Sequence, residues 1–180
     1  MMKDWNLDAS WSLFLDRDGV INERVFGGYI LNKADFVFKE GVLETASELF
    51  RNFNRVCVVT NQQCIGKGLI SEENIQELHA FMCKKFSSKG AHIDEVFIAR
   101  EINNERSMDR KPRPKMGLLA KALYPEIDFS KSIMVGDTDS DINFGKNLGM
   151  KTVLIVSEEE CHSLPDLKVS SLKEFNTLLK

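Results

Sequence analysis

The chain has 180 residues, 43% of them hydrophobic and 28% charged, with a formal net charge of -3. That balance suits one globular domain over residues 1–180 with a full core and excludes a disordered or fibrous chain. It leaves no basic stripe for general nucleic-acid binding, and no apolar run approaches the length of a membrane span. The opening Met1-Met2-Lys3-Asp4-Trp5-Asn6 lacks the apolar stretch of a secretory signal, so a cytoplasmic chain is expected.

The apolar run 11–15 predicts a first, central strand, and it feeds into Asp16-Arg17-Asp18-Gly19-Val20-Ile21-Asn22. On a strand, carboxylates two residues apart share a face and reach one point beyond its carboxyl end. Open α/β sheets place their ligands there. Alone, such a pair is more often a solvated turn. Residues 23–38 contain Gly27-Gly28-Tyr29 and no clean period, which predicts a loop with a hairpin-like excursion. Val42, Ala46, Leu49, Phe50 and Phe53 recur at helical spacing, predicting a helix over 41–53 that leads into a strand at 55–59. Ser71 has the chemistry of an N-cap, with Glu72 and Glu73 in the first turn and Ile75, Leu78, Met82 and Phe86 as the buried stripe.

A third strand is predicted at 93–99, and Leu118, Leu119, Ala122 and Leu123 suggest a short helix that Pro125 closes. Residues 132–135 predict the fourth strand, 142–148 a helix ending at Gly149, and 151–156 the fifth strand. Ser171 and Glu174 have capping-box spacing at the start of a last helix through Phe175, Leu178 and Leu179. The expected fold is therefore α/β: a doubly wound, mainly parallel five-stranded sheet. Ordinary elements use up the connections between Asp18, Thr60 and Lys111, which leaves no room for a cap domain.

The strand ends carry chemistry in a definite order. A carboxylate pair comes first, then Thr60-Asn61-Gln62, then Arg110-Lys111-Pro112, then Gly136-Asp137-Thr138-Asp139-Ser140-Asp141. These are the parts needed for phosphoryl transfer to an aspartate. A carboxylate serves as nucleophile, carboxylates hold a hard cation that neutralises the phosphate, and hydroxyl and ammonium donors hold the equatorial oxygens.

The phrases Phe14-Leu15-Asp16-Arg17-Asp18-Gly19-Val20-Ile21-Asn22, Val59-Thr60-Asn61-Gln62-Gln63, Arg110-Lys111-Pro112-Arg113-Pro114 and Met134-Val135-Gly136-Asp137 resemble the four motifs of the haloacid dehalogenase-like phosphatases. Within them the chain is similar to the capless branch of heptose bisphosphate and histidinol phosphatases, and the likeness spans almost the whole sequence. The resemblance implies Asp16 as the nucleophile that forms an aspartyl phosphate, and Asp18 as acid and then base. It implies Thr60 and Lys111 as catalytic donors to the phosphate, and Asn61, Gln62 and Arg110 as substrate contacts. Mg2+ is expected on Asp16, the Asp18 backbone carbonyl and Asp137. Asp141 is expected to orient Lys111 or its loop, and Asp139 to be a helix acid.

The implied activity is magnesium-dependent hydrolysis of a phosphorylated sugar, foremost a heptose 1,7-bisphosphate of surface-glycan precursor synthesis. Histidinol phosphate is the alternative, and a polynucleotide 3′-phosphatase or a catalytically silent binding module stand behind it. The expected partner is a small phosphorylated metabolite, with no nucleic acid and no membrane, and the expected state is a monomer.

Three departures from the family pattern bear on specificity. Many relatives carry a zinc loop before the Arg-Lys-Pro motif, but residues 99–109 contain neither Cys nor His, so no zinc is expected, and the loop is expected either to be held by packing and salt bridges or to stay mobile without substrate. His79, His92 and His162 stand apart, as helix-edge, strand-start and surface residues. Lys115 stands where many relatives have Gly, and Thr138 where heptose phosphatases often have Lys. Arg100, Arg106, Arg110, Arg113 and Lys115 give the loop a basic character, with Arg110 the foremost specificity candidate. Cys57, Cys64, Cys83 and Cys161 form no close metal-type pair and suggest buried structural thiols; Cys64, beside the Thr60 motif, is the one for which exposure to oxidation is expected.

Overall fold

In the computed structural model, which describes residues 5–180, the chain forms six parallel strands in one sheet. The absence of a secretory signal was expected mainly from residues 1–4, which lie outside the described residues. In chain order the elements are β1 (Ser12–Leu15), α1 (Val42–Phe50), β2 (Arg55–Asn61), α2 (Gln63–Gly66), α3 (Glu72–Ser87), β3 (Glu95–Ala99) and α4 (Lys115–Leu123). They continue with β4 (Ser132–Gly136), α5 (Asp139–Leu148), β5 (Lys151–Ile155), β6 (Leu167–Val169) and α6 (Leu172–Leu178). The spatial order β3-β2-β1-β4-β5-β6 reverses direction between β1 and β4, and a crevice opens beyond the carboxyl ends of strands at such a point. This is the capless doubly wound fold expected from the sequence. Among the described residues no helix is long and apolar enough to cross a membrane.

Side chains alternate across the sheet with the period of two that strands impose. Leu13, Leu15, Val56, Val58, Ile133 and Val135 enter one core layer beneath α1, α3 and α6. Phe14, Cys57, Val59 and Met134 enter the other, beneath α4 and α5. Because both faces are covered, the central strands read as continuous apolar runs.

Several sequence readings change. The sheet has a sixth strand, β6, whose three residues pair with β5 in parallel. α1 stops at Phe50, while β2 runs two residues beyond Val59 and so carries Thr60 and Asn61 as strand residues. α4 does not bury its leucines: Leu118, Leu119 and Leu123 are about half exposed, and the buried face is Met116, Gly117 and Ala120. A Cβ on Gly117 would stand 2.4 Å from Leu148 Cδ1, so close approach to α5 selects the small residues and turns the larger ones out. The Ser71 cap is as read, with its side chain accepting from Asn74 N. At α6, Ser171 accepts from Glu174 N, but the Glu174 carboxylate reaches Ser170 N rather than closing the box on Ser171.

Candidate active site

β1 ends at Leu15, so Asp16 and Asp18 lie in the turn beyond the strand, and the shared-face argument for bringing them together does not apply. The turn does that work instead. Asp16 N donates to Val135 O at 2.9 Å, and the Arg17 carbonyl accepts from the N–H groups of Val20, Ile21 and Asn22. Gly19 has φ +93°, and a Cβ there would stand 2.0 Å from Asp137 Oδ2. Glycine thus supplies both the left-handed backbone and the room for Asp137 to come in under the turn.

Lys111 is buried at the centre of the site. Its Nζ lies 2.6 Å from Asp16 Oδ1 and 2.6 Å from Asp141 Oδ1, and it donates to Val59 O at 2.7 Å. Asn61 fixes the lysine backbone, accepting from Lys111 N at 3.0 Å and donating to its carbonyl at 3.3 Å. Asp141 reaches in because a Cβ on Gly136 would meet Asp141 Cβ at 2.0 Å, a position that only glycine leaves open. Its Oδ2 accepts from the N–H of Asp137 and Thr138 and from Thr138 Oγ1, so it caps α5 while pairing with Lys111. Thr138 is therefore the N-cap of α5. Asp139 is the helix acid expected, and it accepts from His162 N and Ser163 N to tie down the loop after β5.

Asp16, Asp137 and Asp141 each offer an oxygen within 4.8 Å of the others. Burial, reinforced by the neighbouring carboxylates, pushes Asp16 and Asp137 up, against the pull of Lys111 on both and of Arg24 on Asp137. Burial disfavours the Lys111 ammonium, but Asp141 and Asp16 more than offset it and raise its pKa. The buried Asp137 Oδ1 has no hydrogen-bond partner among the described residues. Three carboxylates thus face two cations, Lys111 and Arg24, and this excess of hard oxygen is suited to a divalent metal.

Asp18 is not one of the three clustered carboxylates. Both its oxygens accept from Arg17 Nη2 at 2.9 Å, Oδ1 accepts from Asn22 Nδ2 and Oδ2 from Gln62 Nε2, each at 2.8 Å. Burial would raise its pKa, but the Arg17 charge and these hydrogen bonds overcome it and hold the carboxyl below its ordinary value. Gln62 Nε2 also reaches Thr60 Oγ1 at 2.8 Å, so one amide links the expected acid to the expected phosphate donor. Arg17 is fully buried, with Nη1 3.0 Å from His79 Nε2 and its head 5.8 Å from the Phe36 ring. Since a guanidinium only donates, His79 Nε2 accepts and the proton sits on Nδ1. His79 is therefore a buried partner of the catalytic turn, not a helix-edge residue. His162 is exposed, as expected, and His92 is exposed but precedes β3 rather than starting it. Cys64 is likewise buried, with Sγ on Gln62 Oε1 at 3.5 Å, which removes the exposure expected of it; Cys83 and Cys161 are only half-buried.

These groups open into a cleft of about 740 Å³ lined also by Arg24, Tyr29, Arg110 and Glu159. Arg110 is half-buried and donates to Glu101 O at 3.1 Å. Its loop is closed by polar links: Glu101 Oε2 accepts from Met108 N at 2.6 Å and Asp109 N at 2.8 Å, and Ser107 Oγ donates to Ile102 O at 2.6 Å. Ion pairs Arg100–Glu72 and Lys115–Asp109 flank it. Asp16, Asp18, Thr60, Asn61, Gln62, Arg110 and Lys111 line the one cleft, with Asp141 paired to Lys111 as expected and Asp137 buried behind Arg24, and the structure adds Arg24. Arg24 and the Arg17–His79 contact left no signal, since their partners are distant in sequence.

A doubly wound sheet with a buried lysine between aspartates at its switch point is the arrangement of a haloacid dehalogenase-like hydrolase, and comparison with known proteins places the chain in that class. Residues 108–174 match the family model described as HAD-hydrolase-like. The D-glycero-alpha-D-manno-heptose-1,7-bisphosphate 7-phosphatase of Mycobacterium tuberculosis is 36% identical over 138 residues, 77% of this chain and 73% of that protein. The D-glycero-beta-D-manno-heptose-1,7-bisphosphate 7-phosphatase of Vibrio cholerae is 36% identical over 155 residues, 82% of each chain. A crystal structure of D,D-heptose 1,7-bisphosphate phosphatase from B. bronchiseptica, complexed with magnesium and phosphate, shares the fold with a TM-score of 0.85 and 21% identity, over 94% of this chain and 97% of that one. The chain belongs to the heptose-1,7-bisphosphate phosphatase family of haloacid dehalogenase-like hydrolases, and it is a phosphatase.

Proposed function

We propose that the chain removes the 7-phosphate of D-glycero-D-manno-heptose 1,7-bisphosphate through an aspartyl phosphate on Asp16, as a cytoplasmic single-domain enzyme of small metabolites. The observation that carries this reading is the Lys111 ammonium held against Asp16 Oδ1, which leaves Oδ2 to attack while Lys111 stays beside the incoming phosphate. The P–O bond to the sugar breaks as Oδ2 bonds to phosphorus, and Asp18 gives a proton to the departing alkoxide. Asp18 then takes a proton from water, which attacks phosphorus and frees Asp16. Asp18 is ionised in this state, but a phosphate dianion arriving beside it raises its proton affinity. Thr60 donates to the phosphate, Gln62 keeps Thr60 and Asp18 in register, and Asn61 holds Lys111 in place.

Mg2+ fits the donor set of Asp16, Asp137 and the Asp18 carbonyl, as the unpartnered Asp137 Oδ1 supports, and when bound it would neutralise and orient the phosphate. The substrate assignment draws on relatives named for this bisphosphate. Relatives of equal identity are named for opposite anomers, so the deciding experiment compares kcat/KM for the α and β bisphosphates and for histidinol phosphate, each with Mg2+. One anomer is expected to exceed histidinol phosphate by at least about a hundredfold, the scale of lost charge-assisted contacts. A preference for histidinol phosphate, or no turnover of any ester, would overturn the reading. Arg110→Ala should lower kcat/KM for the bisphosphate by roughly ten- to a thousandfold while changing p-nitrophenyl phosphate turnover far less.

A further inference from the structure

The proposed chemistry leaves one cation of the cleft without a task. Arg24 lies in the loop after β1, and its Nη1 is 3.2 Å from Asp137 Oδ2 and 2.7 Å from Glu159 Oε2. Glu159 sits in the loop after β5, so a single guanidinium nitrogen ties two loops across the carboxylate cluster. Asp137 is nearly inaccessible, whereas the Arg24 side chain is 32% exposed and its head lies 5.8 Å from the ring of Phe26. The mobile member of the pair is therefore the arginine.

A guanidinium and a divalent cation cannot both hold Asp137 at full strength. Arg24 holds Oδ2 of the carboxylate whose unpartnered Oδ1 is open to a metal, and two cations on one carboxylate repel each other. Arg24 cannot give way by losing its proton, so it gives way by moving. The side chain lines the same cleft as Asp16, Thr60 and Lys111, and the strongest new partner within it is a phosphate oxygen, which a guanidinium binds through two parallel donors.

We propose that Arg24 is a transferable ligand, which neutralises Asp137 while the carboxylates hold no metal and is handed to the substrate's phosphate when a divalent cation displaces it. Metal and phosphorylated substrate then bind cooperatively, each favouring the arrangement that the other needs. The substrate half of this inference rests on the phosphatase reading above; the metal half does not.

The test is calorimetric titration of the full chain with MgCl2 in phosphate-free buffer, followed by titration with inorganic phosphate with and without saturating Mg2+. Arg24→Gln should bind Mg2+ roughly five- to thirtyfold more tightly than wild type, the range of one partly buried charge contact removed. Arg110→Gln removes a guanidinium from the same cleft that does not touch Asp137, and it should shift Mg2+ affinity by less than about threefold. With Mg2+ saturating, Arg24→Gln should bind phosphate at least about tenfold more weakly than wild type, and the coupling between the two ligands should shrink. Unchanged or weaker Mg2+ binding by Arg24→Gln, or equal tightening in both variants, would overturn the competition. Tighter Mg2+ binding with unchanged phosphate affinity would overturn the transfer. Mg2+ affinity is read without turnover, so a failed phosphatase assay and a failed Arg24 proposal give different results.

Discussion

At the scale of single residues the site is an electrostatic problem solved by position. Asp16 is buried and its pKa is pushed up, a poor state for a nucleophile, yet it is aimed by a lysine that Asp141 and Val59 O also hold. Asp16→Asn keeps the shape and removes the attacking oxygen, so kcat should fall below about a hundredth of wild type with the fold retained, measured by steady-state turnover and far-ultraviolet circular dichroism. Gly136→Ala should act from outside the chemistry, because its methyl group would occupy the place of Asp141 Cβ and free Lys111 on one side. The eight candidate residues were legible because each lies within a long motif. The contacts that tune them were not, since Arg17 to His79 and Arg24 to Asp137 span 62 and 113 positions and involve residue types that are ordinary on a surface.

At the scale of elements, sequence periodicity found every long helix and the five strands whose runs are apolar. β6 escaped because three residues with a central lysine carry no alternating signal that could be read. α4 was found from its large apolar residues, but periodicity did not mark its buried face, where close approach to α5 selects Gly117 and Ala120. The loop bearing Arg110 shows a third case, since its order comes from Glu101 accepting two backbone N–H groups. Glu101→Ala removes the acceptor of both bonds and should raise KM for a sugar bisphosphate several-fold with little change for p-nitrophenyl phosphate, because the loop positions Arg110 and not Lys111. Equal effects on both substrates would place Glu101 in support of the phosphate site instead.

At the scale of the whole molecule, one buried chain of side chains from α3 through Arg17 to Asp18 couples the helical layer to the catalytic turn. Burial first, and the Arg17 charge second, push the His79 imidazole down to about 3, while in the unfolded chain it titrates near its ordinary value. The unfolded chain therefore binds a proton that the folded one refuses. Stability should fall as pH drops from about 6.5 towards 3, by up to about 1.4 kcal/mol per pH unit from this group. Urea unfolding at pH 5, 6 and 7 should show a shallower fall for His79→Gln, which keeps an acceptor for Arg17; identical slopes would assign acid sensitivity to the carboxylates. The loop over residues 100–113 has a different consequence. Its fastening includes atoms the chain makes for itself, a carboxylate and a hydroxyl. A loop fastened in this way should keep its order when zinc is withheld, so thermal unfolding with and without a zinc chelator should coincide.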